Sequence, residues 1–194
     1  MFDLIAALNF SVELVFLLKM HLLSLLPLFL LSCLSSANAQ GLNVTAISAS
    51  GGHSVLECWS LSAPPLSFAG ASNYPIGNYE GSYVGVIAPR THIGQAWAMH
   101  PQHGSLFHNV FSIFLSGLVH IRLPDSRHEA WVQGGKYGII IAADTKNLSM
   151  TGHVTDFPGN DETVIAELPF AGGMVPDHEV LYAGPCKMKD LIGI

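Results

Sequence analysis

Hydrophobic positions follow two regimes along this chain. Before residue 36 they run together: from Leu22 to Leu34 only Ser24, Pro27, Ser32 and Cys33 break the apolar stretch. Beyond residue 80 they come instead in short bursts. Tyr83–Ile87 is rich in β-formers, Ala96–Met99 is a brief run, and Val110–Leu115 is strongly apolar. Leu118–Leu123 alternates, with Val119, Ile121 and Leu123 on one face and His120 and Arg122 on the other. Glu129–Val132 reads as an edge strand. Tyr137–Ala142 carries the buried run Ile139-Ile140-Ile141, Val164–Leu168 alternates again, and Val180–Tyr182 is a last short strand. Turn pairs separate these bursts: Ser116-Gly117, Pro124-Asp125, Gly134-Gly135, Pro158-Gly159 and Gly172-Gly173. No stretch after the leader keeps a 3.6-residue period over three turns. The pattern predicts an all-β domain: a sandwich, jelly roll or small barrel. Residues 40–57 read as a loose lead-in, and residues 58–80, with Pro64-Pro65, Gly70, Pro75 and Gly77, as irregular wrapping.

The first regime has the form of a secretory signal peptide. Its apolar core is followed by Ala37-Asn38-Ala39-Gln40, a small-x-small site with cleavage expected after Ala39. Met20 opens a well-proportioned signal peptide by itself, so it is the expected start. A retained anchor over Phe10–Leu34 is the alternative, but Glu13, Lys19 and Pro27 interrupt it. Secretion or residence in the secretory pathway follows, with no stable membrane insertion after cleavage.

Composition then narrows the function classes. Charged residues are 11% of the chain, and Lys plus Arg number 8 against 14 Asp plus Glu, a net charge of −6. A phosphate-backbone binder needs a basic surface, so nucleic acid is not an expected partner. Of the three cysteines, Cys33 leaves with the leader. Cys58 and Cys186 are an even pair in an exported chain and are expected to bridge, the alternative being two buried thiols. Two glycosylation sequons remain, at Asn43 in the N-terminal segment and at Asn147 in a polar turn. No nucleophile elbow, phosphate loop or dinucleotide glycine pattern is present, whereas histidine is abundant, ten in all.

Several local patterns resemble one family. Phe111–Gly117 is similar to the strand and turn of cupins, and Glu129–Gly135 followed by Tyr137–Asp144 to the next hairpin. Asp144-Thr145, a short insert and Gly152-His153 resemble the second cupin motif in the form found in a branch of small bacterial and fungal cupins. Ala63-Pro64-Pro65 and Gly184-Pro185-Cys186 fit the same branch, whose secreted fungal members join the chain ends through two cysteines. The resemblance covers roughly residues 58–186, leaving 187–194 as a tail. It implies a single double-stranded β-helix, a jelly-roll barrel. It further implies an apolar small-molecule substrate and a redox-neutral tailoring step of fungal secondary metabolism, of isomerase, cyclase or dehydratase (lyase) type. A non-catalytic secreted binding or effector protein is the alternative, and a metal-dependent cupin oxygenase a further one. A homodimer is left open.

Carrying the family's ligand pattern onto this chain puts its first His on His103 and its last on His153, while Ser105 and Val110 stand where a second His and a Glu would be. His108 is near enough in sequence to substitute. The cofactor is therefore none or one divalent metal ion of unknown identity. A His103, His108 and His153 set suits a transition metal. Without metal, the same three are candidate acid–base residues, with Asp144 or Asp156 orienting His153. His103 and His108 are five positions apart, so a regular strand could not point both inward. Trp97 and Phe107 flank the histidine loop and are candidate pocket residues, as is His120 if its face lines the barrel. Trp59, Trp131, Phe111 and Phe114 are expected to be core.

Overall fold

The computed structural model describes residues 41–99 and 108–191. These residues are almost entirely β. In chain order the strands are β1 Asn43–Ser50, β2 His53–Leu61, β3 Leu66–Phe68, β4 Ala71–Asn73, β5 Tyr83–Ile87, β6 Thr91–Ala96 and β7 Val110–Phe114. They continue as β8 Leu118–Arg122, β9 Glu129–Gln133, β10 Ile139–Ala142, β11 His153–Phe157, β12 Thr163–Pro169 and β13 His178–Ala183. Short 3-10 turns lie between β12 and β13 at Ala171–Gly173 and after β13 at Met188–Asp190. Among the described residues no helix is long and apolar enough to cross a membrane.

A seven-stranded sheet has the order β13-β2-β1-β10-β7-β12-β5, and a four-stranded sheet the order β6-β11-β8-β9. Pairing is antiparallel except between β1 and β10. A core cluster joins the two sheets: Ile47, Leu56, Phe114, Ile140 and Ile165 come from the larger, and Val119, Ile121, Ala130, Val132 and Phe157 from the smaller. The architecture is thus an all-β, barrel-like pair of facing sheets. The larger sheet is covered on its other face too, where Val44, Trp59, Leu61, Phe111, Ile141 and Phe170 pack with Tyr74, Ile76 and Tyr79. This double burial explains Ile139-Ile140-Ile141. Ile140 points between the sheets and its neighbours point to the wrapping side, so both parities must be apolar.

Three expectations are corrected. Residues 40–57 are no loose lead-in. They supply β1 and most of β2, which sit inside the larger sheet, with Val44, Ala46, Ile47 and Leu56 essentially inaccessible. Small residues such as Ala46 and Ser54 suit strands packed tightly on both faces. Glu129–Gly135 and Tyr137–Asp144 do not form a hairpin: β9 pairs with β8, whereas β10 crosses to the other sheet and pairs with β1 and β7. Asn43 is 6% exposed on β1, and its side-chain amide donates to the Asp190 carbonyl at 2.8 Å. No glycan fits on that buried nitrogen, so the Asn43 sequon is silent in this fold. Asn147 is exposed in a turn.

The Cys58–Cys186 disulfide is formed, with Cα atoms 4.5 Å apart. The Cys186 amide also donates to Thr45 Oγ1 at 3.0 Å, so the C-terminal segment is fastened to the two strands that open the domain. The chain-entropy model gives about 4–5 kcal/mol for a loop of this order. Gly117 shows what the tight turns demand. Its φ is 87°, and a Cβ there would lie 2.1 Å from Thr163 Oγ1.

Candidate functional site

Between the sheets lies a cavity of about 260 Å³. Its walls are mostly apolar: Ile47, Ile87, Ile121, Phe114, Phe157 and Ile165 contribute, with Trp97 and Met99. The polar side chains in this lining are Tyr83, Ser112, His153, Thr155 and Glu167. They fall into two groups.

The first group is built around β11. Strand alternation turns His153, Thr155 and Phe157 inward and leaves Val154 and Asp156 outside. The His153 side chain is 11% exposed and that of Asp144 is 0% exposed. His153 Nδ1 lies 2.8 Å from Asp144 Oδ2. A carboxylate offers only lone pairs, so the imidazole carries its proton on Nδ1 and leaves Nε2 as the proton acceptor. Asp144 is fixed in turn. Its Oδ2 also accepts from Ser54 Oγ at 2.7 Å, and its Oδ1 from the Ala98 amide at 3.3 Å. Ser149 continues the network to Ser54 at 2.7 Å, and its carbonyl accepts from Trp97 Nε1 at 2.9 Å. Gly152 permits the close approach, since a Cβ there would sit 2.3 Å from the Ala96 carbonyl oxygen and 3.0 Å from the Trp97 ring. The strand pairing therefore delivers a histidine whose ring orientation and tautomer are both set.

The second group spans three adjacent strands of the larger sheet. Glu167 on β12 stands opposite Tyr83 on β5 and Ser112 on β7. The Tyr83 hydroxyl donates to Glu167 Oε2 at 3.1 Å, and the Ser112 hydroxyl also hydrogen-bonds the carboxyl group. Burial raises the Glu167 pKa above the ordinary carboxylate value. The two hydroxyls and the charge of His153 oppose that rise without cancelling it. Burial, followed by the charge of Glu167 and the hydrogen bond to it, also raises the Tyr83 pKa. That the His153 charge is felt at Glu167 ties the two groups together electrostatically within one cavity.

Of the residues singled out in the sequence, His153 and Trp97 line this cavity. His108 is described, immediately before β7, and is not among the residues lining the cavity. His103 and Phe107, with His100, lie outside the described residues. His120 does not line this cavity but a separate depression on the outer face, with His92, Arg122 and Asp156. Val119 and Ile121 take the inward face of β8, and His120 stacks outside on Trp131, ring centroids 3.9 Å apart, with Nε2 2.9 Å from Glu129 Oε2. Trp131 is 56% exposed and is not core. Trp59, Phe111 and Phe114 are buried. Of the two aspartates flanking His153, Asp144 orients it, whereas Asp156 faces outward to His92 and Arg122.

Sequence reasoning missed Glu167, Tyr83 and Ser112. A signal existed for Glu167: it shares parity with Ile165 in an alternating strand, so its carboxyl had to face the same interior. Among the described residues no three His, Cys, Asp or Glu side chains gather as a metal centre requires. His103, one of the three histidines expected to form such a site, lies outside the described residues, and the Asp144 contact at His153 Nδ1 leaves Nε2 as that ring's remaining donor atom.

Comparisons with known proteins add no relative: no family model, no curated protein and no solved structure matches the chain.

Proposed function

We propose that this is a secretory-pathway protein of cupin type that binds a small apolar molecule between its sheets and converts it by proton transfer. The reaction is redox-neutral, as in a tailoring isomerase, cyclase or dehydratase of fungal secondary metabolism, and His153 is the base. One observation carries this reading: an apolar cavity whose wall holds a histidine oriented by a fully buried aspartate. Imidazole is a general acid and base, and a carboxylate on Nδ1 keeps the accepting nitrogen available. The size supports a compact ligand. A dry cavity of about 150 Å³ holds benzene, so this one suits on the order of ten to fifteen non-hydrogen atoms. The Cys58–Cys186 bridge supports an oxidising compartment.

The test is binding of naphthalene to the full-length chain produced by secretion. Naphthalene should raise the melting temperature, and Ala142→Leu, which fills the lining, should abolish that rise. A wild-type protein indifferent to naphthalene would remove the small-molecule reading. It would favour the non-catalytic one, for which the outer face bearing Trp131 and His120 is the observed feature.

A further inference from the structure

Glu167 plays no part in the reading above, yet it faces the same cavity as His153 from the opposite sheet. We propose that Glu167 is a second catalytic residue, a carboxylic acid that protonates a carbonyl oxygen while His153 removes a proton from the adjacent carbon. The substrate class is then small, otherwise apolar ketones or aldehydes with a hydrogen α to the carbonyl. This inference rests on the proton-transfer reading and extends it.

Three observations lead here. First, among the described residues no lysine or arginine lines the cavity, and His153 is the cationic partner the lining offers to an ionised carboxylate. Burial in such surroundings favours the neutral carboxyl, and the Glu167 pKa is raised accordingly. Second, the group is built rather than incidental. Tyr83 and Ser112, its cross-strand neighbours on both sides, hold the carboxyl with their hydroxyls. Third, the cavity sets a carboxyl on one sheet and an oriented imidazole on the other, two titratable groups in different surroundings, the arrangement that separates acid from base roles in one site. An unactivated C–H is far too weak an acid for an imidazole. A neighbouring carbonyl, protonated as the C–H bond breaks, brings it within reach.

The step balances. The His153 Nε2 lone pair takes the α-proton, and the C–H electrons become a carbon–carbon double bond. The carbonyl π electrons move to oxygen, which takes the Glu167 proton. An enol, an imidazolium and a carboxylate result, with no change of oxidation state. Return of the proton to the same carbon gives exchange. Its return at the far end of a conjugated enol gives isomerisation, with Glu167 recovering the hydroxyl proton.

The experiment uses the full-length chain with naphthalene, β-naphthol as a planar enol mimic of nearly equal size, and α-tetralone in deuterium oxide. β-Naphthol should bind at least about tenfold tighter than naphthalene, since a site with polar partners discriminates by such factors. α-Tetralone should exchange its α-hydrogens by NMR, with a bell-shaped pH profile. Glu167→Gln should slow exchange about 100-fold and remove the falling limb. His120→Ala, on the outer face, should change neither. Equal affinity for the two ligands, no exchange, or undiminished exchange in Glu167→Gln would overturn the proposal while leaving naphthalene binding as support for the broader reading. Loss of naphthalene binding itself would take both down. Should Glu167→Gln fail to fold, the wild-type affinity ratio and the falling limb decide.

Discussion

Strand β11 carries a histidine–carboxylate pair on each of its faces. Inward, His153 meets Asp144 at 2.8 Å. Outward, Asp156 meets His92 at 2.6 Å and Arg122 at 2.6 Å. The contacts are alike and the surroundings are not. Asp144 is fully buried with its acceptors filled by His153, Ser54 and Ala98, while the His92 side chain is 60% exposed. Water competes for the outer pair and salt screens it, so its geometry fixes little. Inside, a carboxylate stripped of water must keep its donors, and that necessity holds the imidazole in one tautomer at the cavity wall. A histidine–carboxylate pair is thus a solvated surface contact or a fixed part of a cavity wall according to which parity of the strand it occupies.

The largest effect should come from removing the two aspartates separately. Asp144→Ala strands three donors in the interior and should cost about 3–5 kcal/mol in urea unfolding. Asp156→Ala should cost no more than about 1 kcal/mol, and less in high salt. Equal losses would break the comparison.

A smaller effect, opposite in sign on the two faces, should appear with pH. Glu167 has its pKa raised in the folded state, so between the ordinary 4.5 and that raised value the folded protein binds more protons than the unfolded chain. Stability then falls as pH rises, by at most about 1.4 kcal/mol per pH unit, and Glu167→Gln should remove that decline. Asp156 is lowered, chiefly by hydrogen bonds from His92 and then Arg122. Its contribution is present above the ordinary 3.8 and is lost as pH falls through the folded value. Unfolding curves from pH 2 to 8 for wild type, Glu167→Gln and Asp156→Asn check both directions.

Least affected should be the outer stack. His120→Ala removes one ring of the His120–Trp131 pair and should cost about 0.5–1 kcal/mol, with the naphthalene-induced rise in melting temperature unchanged. A lost ligand response would mean that the two faces communicate.

Much of the fold was legible because strands with one solvated face advertise themselves. Leu118–Leu123 and Val164–Leu168 alternate, and both are strands within a residue or two. β1 and β2 escaped notice because burial on both sides replaces alternation with small and mixed residues, as in NVTAISAS. β6 and β11 escaped for another reason: Thr91–Ala96 and His153–Phe157 mix polar and apolar residues too evenly to stand out. Within the candidate site, His153 and Trp97 were named from local motifs, and the Asp144 partnership was one of two offered. Glu167, Tyr83 and Ser112 were not named. No sequence interval joins residues 83, 112 and 167, which meet only because β12 lies between β5 and β7.

By itself, the sequence determined what depends on local chemistry. The all-β class follows from short apolar bursts between turn pairs, and the Cys58–Cys186 bridge from an even pair of cysteines. The partition of β8 into a Val119, Ile121 face and a His120, Arg122 face follows from a two-residue period that every strand obeys. Tertiary structure alone decided which faces meet. Strand order, the crossing of β9 to β10 between sheets and the pairing of β1 with β10 are long-range choices, made by how two sheets best exclude water from their shared face. That same choice brought a buried carboxyl from one sheet to face an oriented imidazole from the other, and no local pattern encodes such an encounter.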